Sequence, residues 1–338
     1  MVPRKLLITG GAGFIGSNFT KYMLAQHGGL QVVVLDKLTY AGNLDNLKDL
    51  EGNPRYRFVR GDICDERVVE DAARGADCVA NFAAETHVDR SIGDPASFIK
   101  TDVFGTYVLL EATRKLGIPK FIQISTDEVY GNAGNEPSSE TSPLMPQSPY
   151  AASKAGADRL AYSYFVTYGT PVVITRCTNN YGPNQYPEKM VSLFVTNAIE
   201  DKPLPVYGTG RNTRDWIHVL DHVKALDVVM GTDGLEGEVF NIGSGVEVSV
   251  LEMADRILGA LGKPKTLVQM VKDRPGHVLR HAVMTDKIRA RLDWKPEIDF
   301  DRGLAITVDW YLKNRWWWEP IKSGEFKEYY RRMYSEIG

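Results

Sequence analysis

Gly10-Gly11-Ala12-Gly13-Phe14-Ile15-Gly16 stands directly behind the apolar run Lys5–Thr9 and opens an amphipathic stretch from Phe14 to Gln26. The arrangement is strand, glycine turn, helix. Glycines allow the tight turn and let backbone N–H groups come close to a pyrophosphate, while the helix N-terminus adds partial positive charge. Gly10, Gly13, Phe14, Ile15 and Gly16 are therefore candidate dinucleotide contacts. A Gly-x-Gly-x-x-Gly pattern alone is weak, but this one has its context, including an acid about 20 residues on. That acid is Asp36, after the β-branched run Gln31–Leu35. A carboxylate there accepts from ribose hydroxyls and repels a 2′-phosphate, so NAD is favoured over its phosphorylated form. Lys37 beside it softens that preference.

Working outward, short β-branched runs recur at Arg57–Arg60, Cys78–Asn81, Phe121–Ser125 and Val172–Thr175, with helical spacing between them, notably over Phe98–Leu116 and Tyr150–Tyr168. Strands alternating with helices imply right-handed crossovers and a parallel sheet covered on both faces. The fold class is α/β, a Rossmann-type doubly wound parallel sheet. Asp62 and Ile63, and Ala83 and Ala84, follow the third and fourth strands, where open α/β sheets bind ligands. After about Asn180 Pro and Gly become frequent and segments shorten. Residues 1–180 thus form the dinucleotide domain. Residues 181–338 form mainly a smaller α+β substrate domain, with later segments returning to the first. The aromatic tail of Trp310, Trp316 to Trp318, Phe326, Tyr329 and Tyr330 reads as packing against the body or a second subunit.

Net charge is −3 with no basic stripe, which argues against nucleic acid as the main partner. No apolar run reaches the roughly 18–20 residues of a membrane span, and the start of the chain does not resemble a signal peptide. Cys64, Cys78 and Cys177 are odd in number and widely spaced, which suits neither a disulfide framework nor a zinc site. No metal site is expected, and the setting is cytoplasmic.

Tyr150-Ala151-Ala152-Ser153-Lys154 puts a phenol and an ammonium at i and i+4 on one helix face. A nearby ammonium favours phenolate and equips the tyrosine to act as a base. Ser148-Pro149 marks an abrupt helix entry, and Ser125-Thr126 ends a strand. Together with the glycine loop, these residues resemble the extended short-chain dehydrogenase/reductase family. Two adjacent carboxylates follow in Thr126-Asp127-Glu128-Val129-Tyr130-Gly131, where like charges repel and need a reason. This motif resembles the dTDP-glucose 4,6-dehydratase group. So do Phe82–Ile92, Arg176–Pro183, Tyr186–Met190, Arg214–Trp216 and Asp273–His277. The resemblance runs from about Lys5 to the tryptophan-rich tail.

The resemblance implies a bound NAD and a nucleoside-diphosphate glucose converted to its 4-keto-6-deoxy form. Tyr150, Lys154 and Thr126 would serve oxidation at C4, Glu128 would remove the C5 proton, and Asp127, protonated, would expel the C6 hydroxyl. The residues alone assign only the pair of carboxylates, not which is acid and which is base. Arg214 and Arg274 are candidates for the diphosphate because guanidinium matches phosphate bidentately. His277, Thr86, Asn180, Glu188, Lys189, Met190 and Tyr207 are further substrate candidates, Tyr150, Lys154 and Asn180 are also expected to contact the dinucleotide, and His87 reads as structural. Departures from the group are Asn81 in place of His, Thr86 in place of Ser, and Val250 where Asn often borders the nucleotide pocket, which leaves thymine or uracil open. A UDP-hexose 4-epimerase or UDP-glucuronate decarboxylase shares the Tyr/Lys pair but needs no acid at Asp127. Members of the family commonly form homodimers, which here would pair Phe98–Leu116 and Tyr150–Tyr168.

Overall fold

The computed structural model describes residues 3–324 and residues 326, 328, 330, 331 and 334. Tyr329 lies outside the described residues. Seven parallel strands form the main sheet in the order Val239–Ile242, Val172–Cys177, Phe121–Thr126, Cys78–Asn81, Lys5–Thr9, Gln31–Asp36, Tyr56–Arg60. The inner strands are near-continuous apolar runs because both faces are covered. Leu6 and Ile8 join the core beneath the helices Phe14–Gln26 and Val219–Gly231, whereas Leu7 joins the core beneath Glu66–Ala73, Gly105–Leu116 and Pro149–Tyr168. The chain runs outward from the first strand to the third and then returns to place the fourth on the first strand's other side. The crevice at that switch point is where such sheets bind ligands.

The expected helix over Phe98–Leu116 starts earlier and is not uniform. Pro95–Phe98 is α-helical, Ile99–Phe104 winds as a π-turn, and Gly105–Leu116 resumes the α-helix. Ser148 caps Pro149–Tyr168 by accepting from the Ala151 N–H, with Pro149 at the first position, as the Ser-Pro pair requires.

Three stretches beyond residue 180 pack with the main sheet. Val239–Ile242 is its seventh strand, Val219–Gly231 lies on Phe14–Gln26, and Ile288 and Trp294 join the same core. A second core gathers Tyr181, Met190–Ile199, Trp216, Val250–Leu261 and Phe300–Lys313. Trp317 and Trp318 are buried in it, while Trp316 is half exposed. Trp317 Nε1 donates to Asn46 Oδ1 at 2.8 Å, and Asn46 Nδ2 donates to the Ala12 carbonyl in the glycine loop at 2.8 Å. Among the described residues no helix is long and apolar enough to cross a membrane, and no cluster of His, Cys, Asp or Glu could hold a metal ion.

Arg176, in the strand Val172–Cys177, is clamped by Asp158 of the helix Pro149–Tyr168: Nε to Oδ2 at 2.8 Å and an Nη to Oδ1 at 3.0 Å, both side chains fully buried. Removing one partner of such a pair leaves an uncompensated charge in the core. Asp158→Ala is therefore expected to lower the unfolding free energy by about 3–5 kcal/mol, read from urea titration. The bonds from Arg176 hold the Asp158 carboxyl below its usual range despite its burial. The stabilisation is thus present above the unfolded carboxylate pKa of about 3.9 and fades as pH falls through the lower folded value. A variant as stable as wild type at pH 7 would show that the pair adds nothing.

Candidate active site

At the C-terminal edge of the sheet one pocket collects all fourteen residues expected to hold the dinucleotide, from Gly10 to Asn180. Gly10 sits at φ +68°, and a Cβ there would lie 2.6 Å from the Ala83 nitrogen, so only glycine lets the first turn pass the fourth strand's exit. The helix Phe14–Gln26 has no side-chain cap at Gly13, which leaves its first-turn N–H groups open to an anion. Asp36 is buried at the end of its strand. Its Oδ2 accepts from the Ala12 N–H at 2.9 Å and its Oδ1 from the Leu38 N–H at 2.8 Å. Burial pushes this carboxyl up and the two N–H donors pull it back. Lys37, expected to soften the preference against a 2′-phosphate, is paired instead with Asp62 at 2.7 Å. This donor set and the glycine cradle fit NAD.

The same pocket contains Thr126, Asp127, Glu128, Tyr150 and Lys154. Thr126 ends its strand and caps the short turn Asp127–Tyr130, accepting from the Glu128 N–H at 3.3 Å. Its Oγ1 donates to Asp127 Oδ1 at 3.2 Å, while Asp127 Oδ2 is buried with no hydrogen-bond partner among the described residues. Asp127 is 3% exposed. Burial, then the neighbouring Glu128 and Asp215, push its carboxyl well above the usual range, which favours the protonated acid.

The expectation that Lys154 lowers the Tyr150 pKa is not met in the protein by itself. Tyr150 stands well above the ordinary phenol range because it is buried and faces Glu128, Asp102, Cys177 and Asp127. The Lys154 ammonium donates to the Ile124 carbonyl at 2.7 Å, and burial lowers its own pKa. Spacing put the two on one face, but it could not report the carboxylates that the fold brings to the same place.

The substrate candidates divide. Thr86, Asn180, Glu188 and Lys189 line the dinucleotide pocket, with the Lys189 ammonium on the Thr86 carbonyl and Arg90 Nε 2.9 Å from Glu188 Oε2. Tyr207 and Arg274 line a second cleft that shares Glu85 with the first, and both bond to Asp89: Arg274 at 2.9 Å and the Tyr207 hydroxyl at 3.2 Å. Met190, Arg214, His277 and Val250 line neither. Met190 and Val250 pack on the second core. His277 pairs with Asp273 at 2.7 Å and stands edge-on to Tyr207. Arg214 is buried, spends its guanidinium on the carbonyls of Thr213, Val278 and Leu279, and lies near enough to Glu128 and Asp127 to feel their charge. His87 is buried, 3.9 Å from Asp89.

The sequence reading passed over Glu85, which lines both clefts and follows Ala84 at a strand's C-terminal edge, the position that could have flagged it. It also passed over Asp102, in the helical stretch Phe98–Leu116. His281 was missed as well; it is buried with both ring nitrogens unpartnered among the described residues.

Comparison with known proteins agrees with this geometry. The family model described as GDP-mannose 4,6 dehydratase matches residues 7–307. A dTDP-glucose 4,6-dehydratase of Streptomyces niveus is 51% identical over 323 residues, covering 94% of this chain and 96% of the relative. The low-salt glycan biosynthesis protein Agl12 of Haloferax volcanii is 50% identical over 307 residues, covering 91% and 98%. Among solved structures, a Streptomyces venezuelae dTDP-glucose 4,6-dehydratase with NAD bound superposes with a TM-score of 0.92 at 47% identity, covering 94% of this chain and all of that one. A UDP-glucuronic acid 4-epimerase of Bacillus cereus has the same fold at a TM-score of 0.87 but only 30% identity. With the glycine loop, the Tyr150–Lys154 pair and the Asp127–Glu128 pair in one pocket, the chain belongs to the nucleotide-sugar 4,6-dehydratase family.

Proposed function

We infer that the chain converts dTDP-glucose to dTDP-4-keto-6-deoxyglucose. The observation that carries this reading is Asp127, a buried acid with an unpartnered carboxyl oxygen, beside a second carboxylate and next to the Tyr150–Lys154 pair. A 4-epimerase, which inverts C4 by oxidation and reduction, has no leaving group to protonate. A dehydratase does.

The C6 hydroxyl leaves poorly from ordinary glucose, and a ketone at C4 acidifies the C5 proton so that water can be lost across C5–C6. The glycine loop and Asp36 would hold NAD, which when bound would supply a reversible hydride acceptor for the oxidation at C4 and the later reduction at C6. Tyr150 takes the 4-hydroxyl proton, with Lys154 stabilising the phenolate and Thr126 hydrogen-bonded to the 4-oxygen. Glu128 removes the C5 proton and returns a proton to C5 when C6 is reduced. Asp127, kept protonated by burial, delivers its proton to the departing C6 hydroxyl. Arg274 and Tyr207, which line the second cleft with Glu85, would meet the nucleoside diphosphate. Arg214 acts from behind the carboxylate pair. In this reading residues 1–180 serve NAD and residues 181–338 mainly serve the sugar nucleotide.

We also read the protein as a cytoplasmic homodimer. Phe104, Tyr107 and Leu116 on one helical stretch, and Tyr162, Val166 and Tyr168 on another, are large apolar side chains left exposed. Such surfaces favour a partner.

Asp36→Ala is expected to weaken NAD binding and narrow the gap between NAD and NADP affinities, because it removes the ribose acceptor and the charge opposed to a 2′-phosphate. Titration of cofactor-free protein with both nucleotides checks this, and an unchanged affinity ratio would place the ribose partner elsewhere.

Asp127→Asn keeps size and removes the proton donor, so C4 oxidation should persist while loss of the C6 hydroxyl slows by roughly 10²–10⁴-fold. Glu128→Gln should stop exchange of the C5 proton with deuterated solvent. The measurement is a single turnover with dTDP-glucose in deuterated water, following reduced nicotinamide absorbance and label at C5. Both variants should accumulate the reduced nicotinamide and the 4-keto-glucose. Wild-type rates in both would leave the pair without a part in the reaction and make an epimerase the better reading.

A further inference from the structure

Asp102 belongs to none of the steps above, yet it is among the most enclosed carboxyls in the chain, at 1% exposure. It sits in the π-turn Ile99–Phe104, between two α-helical segments of one rod. A π-turn admits an extra residue into the helix, breaks the regular bonding pattern and recurs at functional positions. Here it presents Asp102 inward, against the helix that carries Tyr150 and Lys154.

Both oxygens of this carboxyl are engaged. Oδ1 accepts from the Glu85 N–H at 2.9 Å, and Oδ2 accepts from Ser153 Oγ at 2.5 Å. Glu85 belongs to the loop leaving the fourth strand, which lines the dinucleotide pocket next to Ala83 and Ala84. Ser153 lies between Tyr150 and Lys154, and its Oγ is also 2.8 Å from the Tyr150 carbonyl. One carboxyl therefore ties the cofactor loop to the helix turn that holds the phenol and the ammonium.

We propose that Asp102 is a positioning residue for the Tyr150–Lys154 pair, joining it to the cofactor loop and supplying a negative charge behind it. The proposal rests on the reading of that pair as the redox acid–base couple.

The electrostatic surroundings agree. The groups that act on Asp102 are Lys154 and Glu85; burial lifts its carboxyl to about 7, against the pull of Lys154, Ser153 and the Glu85 N–H. Lys154 is depressed by burial and held up by Asp102, Cys177 and Asp158. Tyr150 is raised by burial, then by Glu128, Asp102, Cys177 and Asp127. Ionised Asp102 thus favours the ammonium of Lys154 and disfavours the phenolate of Tyr150. Removing its charge, which it carries above about pH 7, lowers the pKa of both. The limb of the pH profile set by Tyr150 and the limb set by Lys154 then move together toward lower pH.

The test uses holoenzyme and dTDP-glucose in single turnover, with reduced nicotinamide absorbance as the readout, from pH 5.5 to 9. Asp102→Asn keeps an acceptor for the Glu85 N–H, turns the other contact into an amide N–H donating to Ser153 Oγ, and removes the charge, so both limbs should shift acidward with most of the plateau rate kept. Asp102→Ala removes both tethers, and a misplacement of about 1 Å at the reacting groups should cost about 100-fold in the oxidation rate. Ser153→Ala takes away one donor, which raises the Asp102 pKa; the acid limb should shift in the same direction by less, and this variant serves if the other two do not fold. A profile for Asp102→Asn superimposed on wild type, or a wild-type oxidation rate in Asp102→Ala, overturns the proposal, as does an unshifted Ser153→Ala when it alone folds. A wild-type enzyme that never reduces its nicotinamide overturns the redox reading instead, and the proposal with it.

Discussion

The backbone at Gly10 passes so close to the exit of the fourth strand that a methyl group there would meet Ala83 at 2.6 Å. Everything that handles a ligand depends on that approach. The Gly10 N–H donates to the Leu35 carbonyl at 2.9 Å, so the glycine turn is registered on the second strand just before Asp36. The Ala12 N–H then reaches the Asp36 carboxylate, and Asn46 and Asn43 both bond the Ala12 carbonyl. Trp317, from the far end of the chain, completes that set through Asn46. On its other side the turn abuts Ala83, from which the loop runs to Glu85, and Glu85 is joined through Asp102 to Ser153 on the helix Pro149–Tyr168. The glycine turn and the helix of Tyr150 and Lys154 are thus joined through one contact between two parallel strands.

Carboxyls gather behind this contact at a cost. Taking a charge from water into the interior is unfavourable, and such groups shift toward their neutral form. Asp127, Asp102 and Asp215 are all pushed upward chiefly by burial, the last to about 6. For structural purposes this is a liability; for a reaction that must protonate a hydroxyl near neutral pH it is an asset, because an ordinary aspartate would hold no proton there. Asp215 is satisfied by the N–H groups of Ser244 and Gly245 and by the Ser244 hydroxyl. Asp127 is satisfied on one oxygen only, which is the difference between a braced acid and one free to donate.

Local signals were legible wherever a residue's neighbours in sequence are also its neighbours in space. The strand Lys5–Thr9, the helix Phe14–Gln26 and the strand Cys78–Asn81 have the expected bounds, and the fourteen dinucleotide residues meet in one pocket. Most sit on a strand end or on the turn and first helical residues after it, and a parallel sheet aligns those ends on one edge without further instruction; Tyr150 and Lys154 come instead from the helix Pro149–Tyr168. The Phe98–Leu116 stretch read as one regular helix, because apolar spacing at 3.6 residues does not reveal a single widened turn.

What the sequence determined by itself was the chemistry available: a doubly wound sheet, an NAD site with Asp36, a phenol and an ammonium one turn apart, and two adjacent carboxylates. Only the tertiary structure decided the state of those groups. Tyr150 is raised rather than lowered, Lys37 is spoken for by Asp62, Arg214 is committed to backbone carbonyls, and Asp102 stands behind the catalytic helix. The reason is physical. Spacing along a helix sets which side chains share a face, but protonation and pairing depend on desolvation and on charges from segments tens to hundreds of residues away, and these are brought within reach only when the chain has folded.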